Sequence, residues 1–250
     1  MDREGLKELM QGISAAVPTP FDSDYKLDLG TTAALAQWWV EQGLVTGTAM
    51  IKVCSAWGQG PDLGDDEWPQ LLKATVDAGG PEANVMCGLK SKDTLHTIED
   101  AKIAQDLGAK HLQIELPYNH APKQHQYVKH FSMISEAIDI GIMIYNTYWF
   151  GCEPITAETM LKLEDAEQVA ALKWNTPNDY DEMNEFSHIF NVIDNAGEPV
   201  RCHKNGGRGI VSATVGAYPA HDIEIWNLLE AGKYEEAQAE KDRAADLMGP

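Results

Sequence analysis

VAALKWNTP, residues 169–177, ends a short apolar run on a lysine and then meets Asn-Thr-Pro. A run this short, stopped by turn-forming residues, reads as a strand buried on both faces. Such strands belong to parallel sheets covered by helices. Lysine is among the residues least often fully buried, and an unpaired ammonium is costly to take out of water. Lys173 therefore asks for an interior that can use an amine.

Working outward in both directions, the chain repeats one pattern. Strand candidates begin at ISAAVPTPF (13–21), TGTAMIKVCS (46–55), NVMCGL (84–89) and HLQIELP (111–117). GIMIYN (141–146), VAALKWN (169–175), FNVIDN (190–195) and RGIVSAT (208–214) complete a set of eight. Nearly every one is followed by a helical pattern. Gly43, Gly79, Gly108 and Gly232 stand where helices stop, as the left-handed C′ position prefers. Eight strand–helix units predict a (β/α)8 TIM barrel rather than an open doubly wound sheet. No GxGxxG follows the first strand to suggest a dinucleotide site. No linker or low-complexity tract divides the chain, so one domain over 1–250 is expected. Within it, 233–250 reads as the remnant of a C-terminal helical region.

Charge narrows the partners. With 39 acidic and 19 basic residues the formal net charge is −20, which repels nucleic acid and anionic membranes. No apolar stretch approaches the roughly 20 residues needed to span a bilayer. The start, MDREGLKELMQG, lacks the apolar segment of a signal peptide. A cytoplasmic protein is expected. Cys54, Cys87, Cys152 and Cys202 form no CxxC pair and read as reduced, buried thiols. No ligand spacing suggests a metal, and no cofactor is called for.

In a barrel of this class the active site lies at the C-terminal ends of the strands. There the sequence places Thr19, Ser55 to Gly58, Gly88, Glu115 to Tyr118, Tyr145, Lys173, Asp194, Asn195 and Ser212. Lys173 and Tyr145 end adjacent strands and are expected to meet in one mouth. A confined, apolar setting lowers a lysine's pKa and frees an amine nucleophile. That amine condenses with a carbonyl to give a Schiff base, and a tyrosine hydroxyl close by moves the protons. The bland alternative has Lys173 reaching past the strand end into solvent, or pairing with Asp194. Asn195 reads equally as a substrate contact or as the N-cap of the next helix. His203, Lys204 and Arg208 cluster near the last strand, either solvated or facing an acidic substrate.

The ordered motifs then carry a family resemblance. AAVPTPF, SAWGQGPDLGDDEW, ELPYNHAP, IMIYNTYW, VAALKW and GGRGIVSA occur in the order seen in the dihydrodipicolinate synthase/N-acetylneuraminate lyase family. The chain resembles that family of class I, Schiff-base aldolases. The resemblance implies that Lys173 forms an imine with a 2-oxo acid, often pyruvate, and that Tyr145 relays protons. It implies that the loop of Ser55, Ala56, Trp57 and Gly58 holds the substrate carboxylate, and that Tyr118, Asn195 and Val211 line the site. It also implies a homo-oligomer, tetramer or dimer.

The departures are specific. The family's loop carries two central hydroxyls where this chain has Ala56 and Trp57, so Trp57 is read as closing the pocket, stacking on substrate or packing. Asn119 replaces the second of two tyrosines. Phe150 stands where synthases of a dicarboxylic intermediate have arginine, and without that cation a second carboxylate binds poorly. The wording is closer to hydratase-aldolases or sugar-acid dehydratases. Three functions follow: a pyruvate-dependent aldolase first, a 2-keto-3-deoxy sugar-acid dehydratase through the same imine second, a non-catalytic 2-oxo-acid binder third.

Overall fold

The strands form because β-branched and apolar residues alternate into two different interiors. In the computed structural model, which describes residues 1–174 and 180–248, eight parallel strands close on themselves in the order β1 to β8. They are β1 (Gly12–Ala16), β2 (Ala49–Val53), β3 (Val85–Leu89), β4 (His111–Glu115), β5 (Gly141–Tyr145), β6 (Val169–Trp174), β7 (Asn191–Asp194) and β8 (Gly209–Ser212). The helices are α1 (Arg3–Leu9), α2 (Leu29–Glu41), α3 (Trp68–Gly79), α4 (Thr94–Asp106) and α5 (Gln124–Ser135). After them come α6 (Ala157–Leu161), α7 (Tyr180–Phe186), α8 (Pro199–Lys204), α9 (Pro219–Glu230) and α10 (Tyr234–Met248). The expected TIM barrel is therefore the fold. β1 is shorter than ISAAVPTPF suggested, because Pro18 and Pro20 have no N–H to give to a ladder.

Successive side chains point alternately inward and outward. Ile51, Val53, Leu112, Ile114, Ile142, Ile144, Leu172 and Trp174 face the helices and build the main core. Met50, Met86, Met143, Ala171 and Ile193 face the barrel axis in a second, smaller cluster, with Val211 against it. Leu6 and Met10 join that inner cluster. The charged N-terminal segment is thus the helix α1, which stoppers the barrel at the N-terminal ends of its strands. Arg3 fixes it by donating to the carbonyls of Val169 at 2.9 Å and Ala166 at 2.8 Å. Asn191 donates to the carbonyls of Lys7 and Met10, and Asn84 to that of Leu9. With one end stoppered, chemistry has the other end.

Among the described residues no helix is long and apolar enough to cross a membrane. All four cysteines are free and buried.

Candidate active site

The register across three strands assembles the mouth. Glu115 pairs with Tyr145, and Tyr145 pairs with Lys173, so β4, β5 and β6 offer a carboxyl, a phenol and an amine in one tier. All three face inward, since their neighbours Ile114, Ile144, Leu172 and Trp174 pack outward. Lys173 is 4% exposed, which rules out the solvent-seeking alternative. Its Nζ lies 3.7 Å from the centroid of the Tyr145 ring. Burial pulls its pKa down to about 7, with Glu115 pulling the other way. Near neutral pH a large share of this lysine is therefore free amine.

Tyr145 meets the amine with its ring face, while its hydroxyl is hydrogen-bonded to the Asn195 side chain. Burial and the Glu115 charge raise the Tyr145 pKa, so the phenol keeps its proton. Asn195 is thereby brought against Tyr145 at the mouth. The N-cap alternative is corrected: Glu198 occupies that position, and Asp194 accepts from the N–H groups of Ala196 and Glu198 at 3.0 Å each. Asp194 is spent on that turn, faces away from the axis beside Trp174, and does not pair with Lys173. Burial raises its pKa to about 6.

The β2 loop is a tight double turn. One 3-10 turn covers Ala56–Gly58 and a second covers Gly60–Asp62. Cys54 and Gln59 take left-handed backbone angles between and beside them, at φ 57° and 54°. A Cβ on Gly60 would lie 1.8 Å from the Cys54 carbonyl oxygen, so only glycine lets the turn close. Thr19 Oγ1 ties β1 to it, donating to the Gly58 carbonyl at 2.5 Å. Ser55 Oγ is buried with no hydrogen-bond partner among the described residues. An unsatisfied hydroxyl in this loop suits a ligand's polar atom. Trp57 is 73% exposed, so its indole does not pack in the core in this conformation.

The rim is aromatic. Tyr118 and Phe150 stack tilted at 5.1 Å, Trp149 lies 5.9 Å from Phe150, and Trp149 meets Tyr145 edge-on at 5.4 Å. Val211 lines the axis from β8. His203, Lys204 and Arg208 are elsewhere. His203 and Arg208 bond Glu230, Lys204 lies over Tyr234, and Arg208 immediately precedes β8 at the stoppered end. Of their two readings, contact with an acidic substrate in the mouth is therefore excluded by position.

Lys52 escaped the sequence reading, and Glu115 was read only as one of the residues at the strand ends. Lys52 on β2 is 1% exposed, and its Nζ donates to Gln113 Oε1 and lies 3.0 Å from both that atom and Ser14 Oγ. Burial lowers its pKa strongly, and the nearby Lys173 charge adds to that. It follows the same rule as Lys173, a lysine inside an apolar strand, and AMIKV carried that signal. Glu115 sits above Gln113 on β4, where HLQIE sets three polar residues at period two along the axis. His111, at the base of that column, lies 2.5 Å from Asn84 Oδ1 through its Nε2. Among the described residues no cluster of three or more His, Cys, Asp or Glu is arranged to hold a metal ion.

Comparison with known proteins agrees with this geometry. Residues 9–249 match the model of the dihydrodipicolinate synthetase family. The chain is 28% identical over 92% of its length to a 4-hydroxy-tetrahydrodipicolinate synthase of Chlorobaculum parvum, covering 78% of that protein. It is 30% identical over 96% of its length to one of Sphingopyxis alaskensis, covering 82% of that protein. A solved dihydrodipicolinate synthase from Bacillus anthracis superimposes with a TM-score of 0.84 at 26% identity, over 96% of this chain and 84% of that one. The chain belongs to the dihydrodipicolinate synthetase family and is an enzyme of the class I, Schiff-base lyase type.

Proposed function

We propose that Lys173 condenses with pyruvate or a close 2-oxo acid, and that the enzyme makes or breaks a carbon–carbon bond to an aldehyde through the resulting imine. The observation that carries this reading is a lysine buried in the barrel mouth, held near a pKa of 7, with a phenol against it. The free amine attacks the 2-oxo carbon to give a carbinolamine. Tyr145, oriented by Asn195, gives the proton with which the carbinolamine oxygen leaves as water. The imine then draws electrons from the adjacent carbon. Ser55 and the backbone N–H groups of Ala56 and Trp57 hold the carboxylate, a task that backbone amides in tight turns perform without side-chain hydroxyls, while the Gly58 N–H closes the turn on the Ser55 carbonyl.

The second substrate is read from the rim. Tyr118, Trp149 and Phe150 present rings where a dicarboxylic intermediate needs a cation, which favours an aldehyde without a second carboxylate. Four buried thiols suit a reducing compartment, and we place the enzyme in the cytoplasm. Trp149 and Phe150, 45% and 51% exposed, form an apolar patch of the kind that copies of a chain bury, and we propose a homo-oligomer.

The test is sodium borohydride reduction in the presence of pyruvate, followed by peptide mapping by mass spectrometry. A reduced pyruvyl adduct on Lys173 is expected. An adduct elsewhere, or none with pyruvate and longer 2-oxo acids, overturns the assignment.

A further inference from the structure

Lys52, the buried amine on β2, has no part in the imine chemistry of Lys173 and Tyr145. Among the described residues its Nζ meets Gln113 Oε1 and Ser14 Oγ, each at 3.0 Å, and no carboxylate forms an ion pair with it. An ammonium carries three N–H donors, so a charged Lys52 has one left over and no counter-charge. An unpaired cation is costly to bury, and methionine fills the same lumen at positions 50, 86 and 143 without that cost.

The strand pairings place this amine. A barrel lumen is filled in tiers by alternate strands, each strand staggered by roughly one residue against the last. Followed round the barrel, the pairings put Lys52 (β2), Gln113 (β4), Lys173 (β6) and Val211 (β8) in one tier. The contact between Lys52 and Gln113 agrees with that placement. Lys52 thus faces Lys173 across the axis. The next tier towards the mouth has Ala16 on β1 and Gly88 on β3, flanking Lys52, and Tyr145 on β5. Over this side the β2 loop folds inward. A Cβ on Gly88 would lie 2.7 Å from the Cys54 carbonyl oxygen and 3.1 Å from the Ser55 Cα, and one on Gly58 would lie 2.8 Å from the Val17 carbonyl oxygen. The Ser55 loop is a roof and Lys52 the floor beneath it. Between them Ala16 and Gly88 bring nothing larger than a methyl group.

We propose that Lys52 is a binding residue for the 2-oxo acid, its ammonium holding the carboxylate from below while Ser55 Oγ and the Ala56 and Trp57 N–H groups hold it from above. A 2-oxo acid joined to Lys173 carries its carboxylate on the carbon next to the imine, on the side where floor and roof converge. The carboxylate brings the counter-charge and the third acceptor that Lys52 lacks, and Lys52 brings charge to a loop that has Ala56 and Trp57 at its centre. In the empty barrel burial holds Lys52 neutral, with the Lys173 charge adding to that. A carboxylate against it favours the ammonium, so binding takes up a proton at this amine. The titratable groups facing Lys52 are Lys173 across the tier, Tyr145 on β5, and His111 below and Glu115 above on β4. β1, β3, β7 and β8 turn only Ser14, Ala16, Met86, Gly88, Ile193 and Val211 towards it.

Lys52 has this role only on the Lys173 imine of the proposed function, and methyl pyruvate separates the two, because it forms the same imine without a carboxylate charge. Half-saturation is read from borohydride trapping of the Lys173 adduct with each ligand. The parent is expected to favour pyruvate, and Lys52→Met to cut that preference by about 10- to 100-fold, the scale of a hydrogen bond to a charged group. A preference within about threefold of the parent's, including a variant that weakens both ligands alike as a merely structural lysine would, overturns the role of Lys52 and leaves Lys173 in place. No parent adduct with either ligand overturns both. Calorimetry on the parent, in buffers of different ionisation enthalpy near neutral pH, needs no folded variant. Pyruvate is expected to take up about one proton more than methyl pyruvate, the Lys173 contribution cancelling between them. Equal uptake overturns the proposal.

Discussion

Lys173 works because it is held where an ammonium is unwelcome, and that has a thermodynamic signature. Its folded pKa, about 7, lies below the usual lysine value of 10.5, so between those values the unfolded chain binds more protons and stability rises with pH. Below pH 7 the full cost of the buried charge is present. Lys173→Met, which suits the methionine-lined interior, should therefore abolish turnover and raise stability by a few kcal/mol at pH 7, an order-of-magnitude figure. The gain should shrink towards pH 10, and denaturant melts at several pH values check it. A variant less stable than the parent at pH 7 would contradict the cost assigned to this amine. Tyr145→Phe keeps the ring face and loses the hydroxyl, so it should fold normally and slow imine formation by about 10²–10⁴-fold. Stopped-flow trapping measures that step. Lys173 and Tyr145 were legible because both end obvious strands and family motifs frame them. Lys52 was not, although AMIKV contains it, and Glu115 was read only as a residue at the end of its strand. Which face of a strand turns to the axis depends on the closed barrel, not on local pattern.

The eight strands were readable from β-branched runs between glycine-stopped helices, and only their ends moved, by residues that proline or a turn removes. Asp28, Asp93 and Thr156 cap α2, α4 and α6 by accepting from backbone N–H groups. α1 was not readable. Seven residues with a single fully buried side chain, Leu6, give little periodicity, and what holds the helix comes from β6, β7 and the segment before β3. The β2 loop shows the opposite case, a local geometry that the sequence states openly through Gly58 and Gly60. Gly60→Ala forces a Cβ into the Cys54 carbonyl, so the loop must open. The expected outcome is a rise in KM for the 2-oxo acid of about tenfold, roughly 1.4 kcal/mol, with the Lys173 adduct still trapped at saturating pyruvate. An unchanged KM would remove the loop from carboxylate binding.

At the scale of the molecule, 39 acidic against 19 basic residues leave a surface that repels itself. Screening shortens the reach of that repulsion to about 8 Å at physiological ionic strength. The melting temperature should rise from low to physiological salt, and a fall in calorimetry would show that ion pairs such as Arg208–Glu230 outweigh the net charge. The helical stopper has a consequence for synthesis on the ribosome. α1 emerges before every strand of the barrel, yet its anchors are Val169 and Asn191, more than 160 residues downstream. It waits through most of translation without a docking surface, and so finds its place among the last elements. Until β7 has left the exit tunnel the barrel is open at both ends, and the nascent chain carries its methionine-lined lumen as an unsealed apolar bore, the stage at which a chaperone has something to hold.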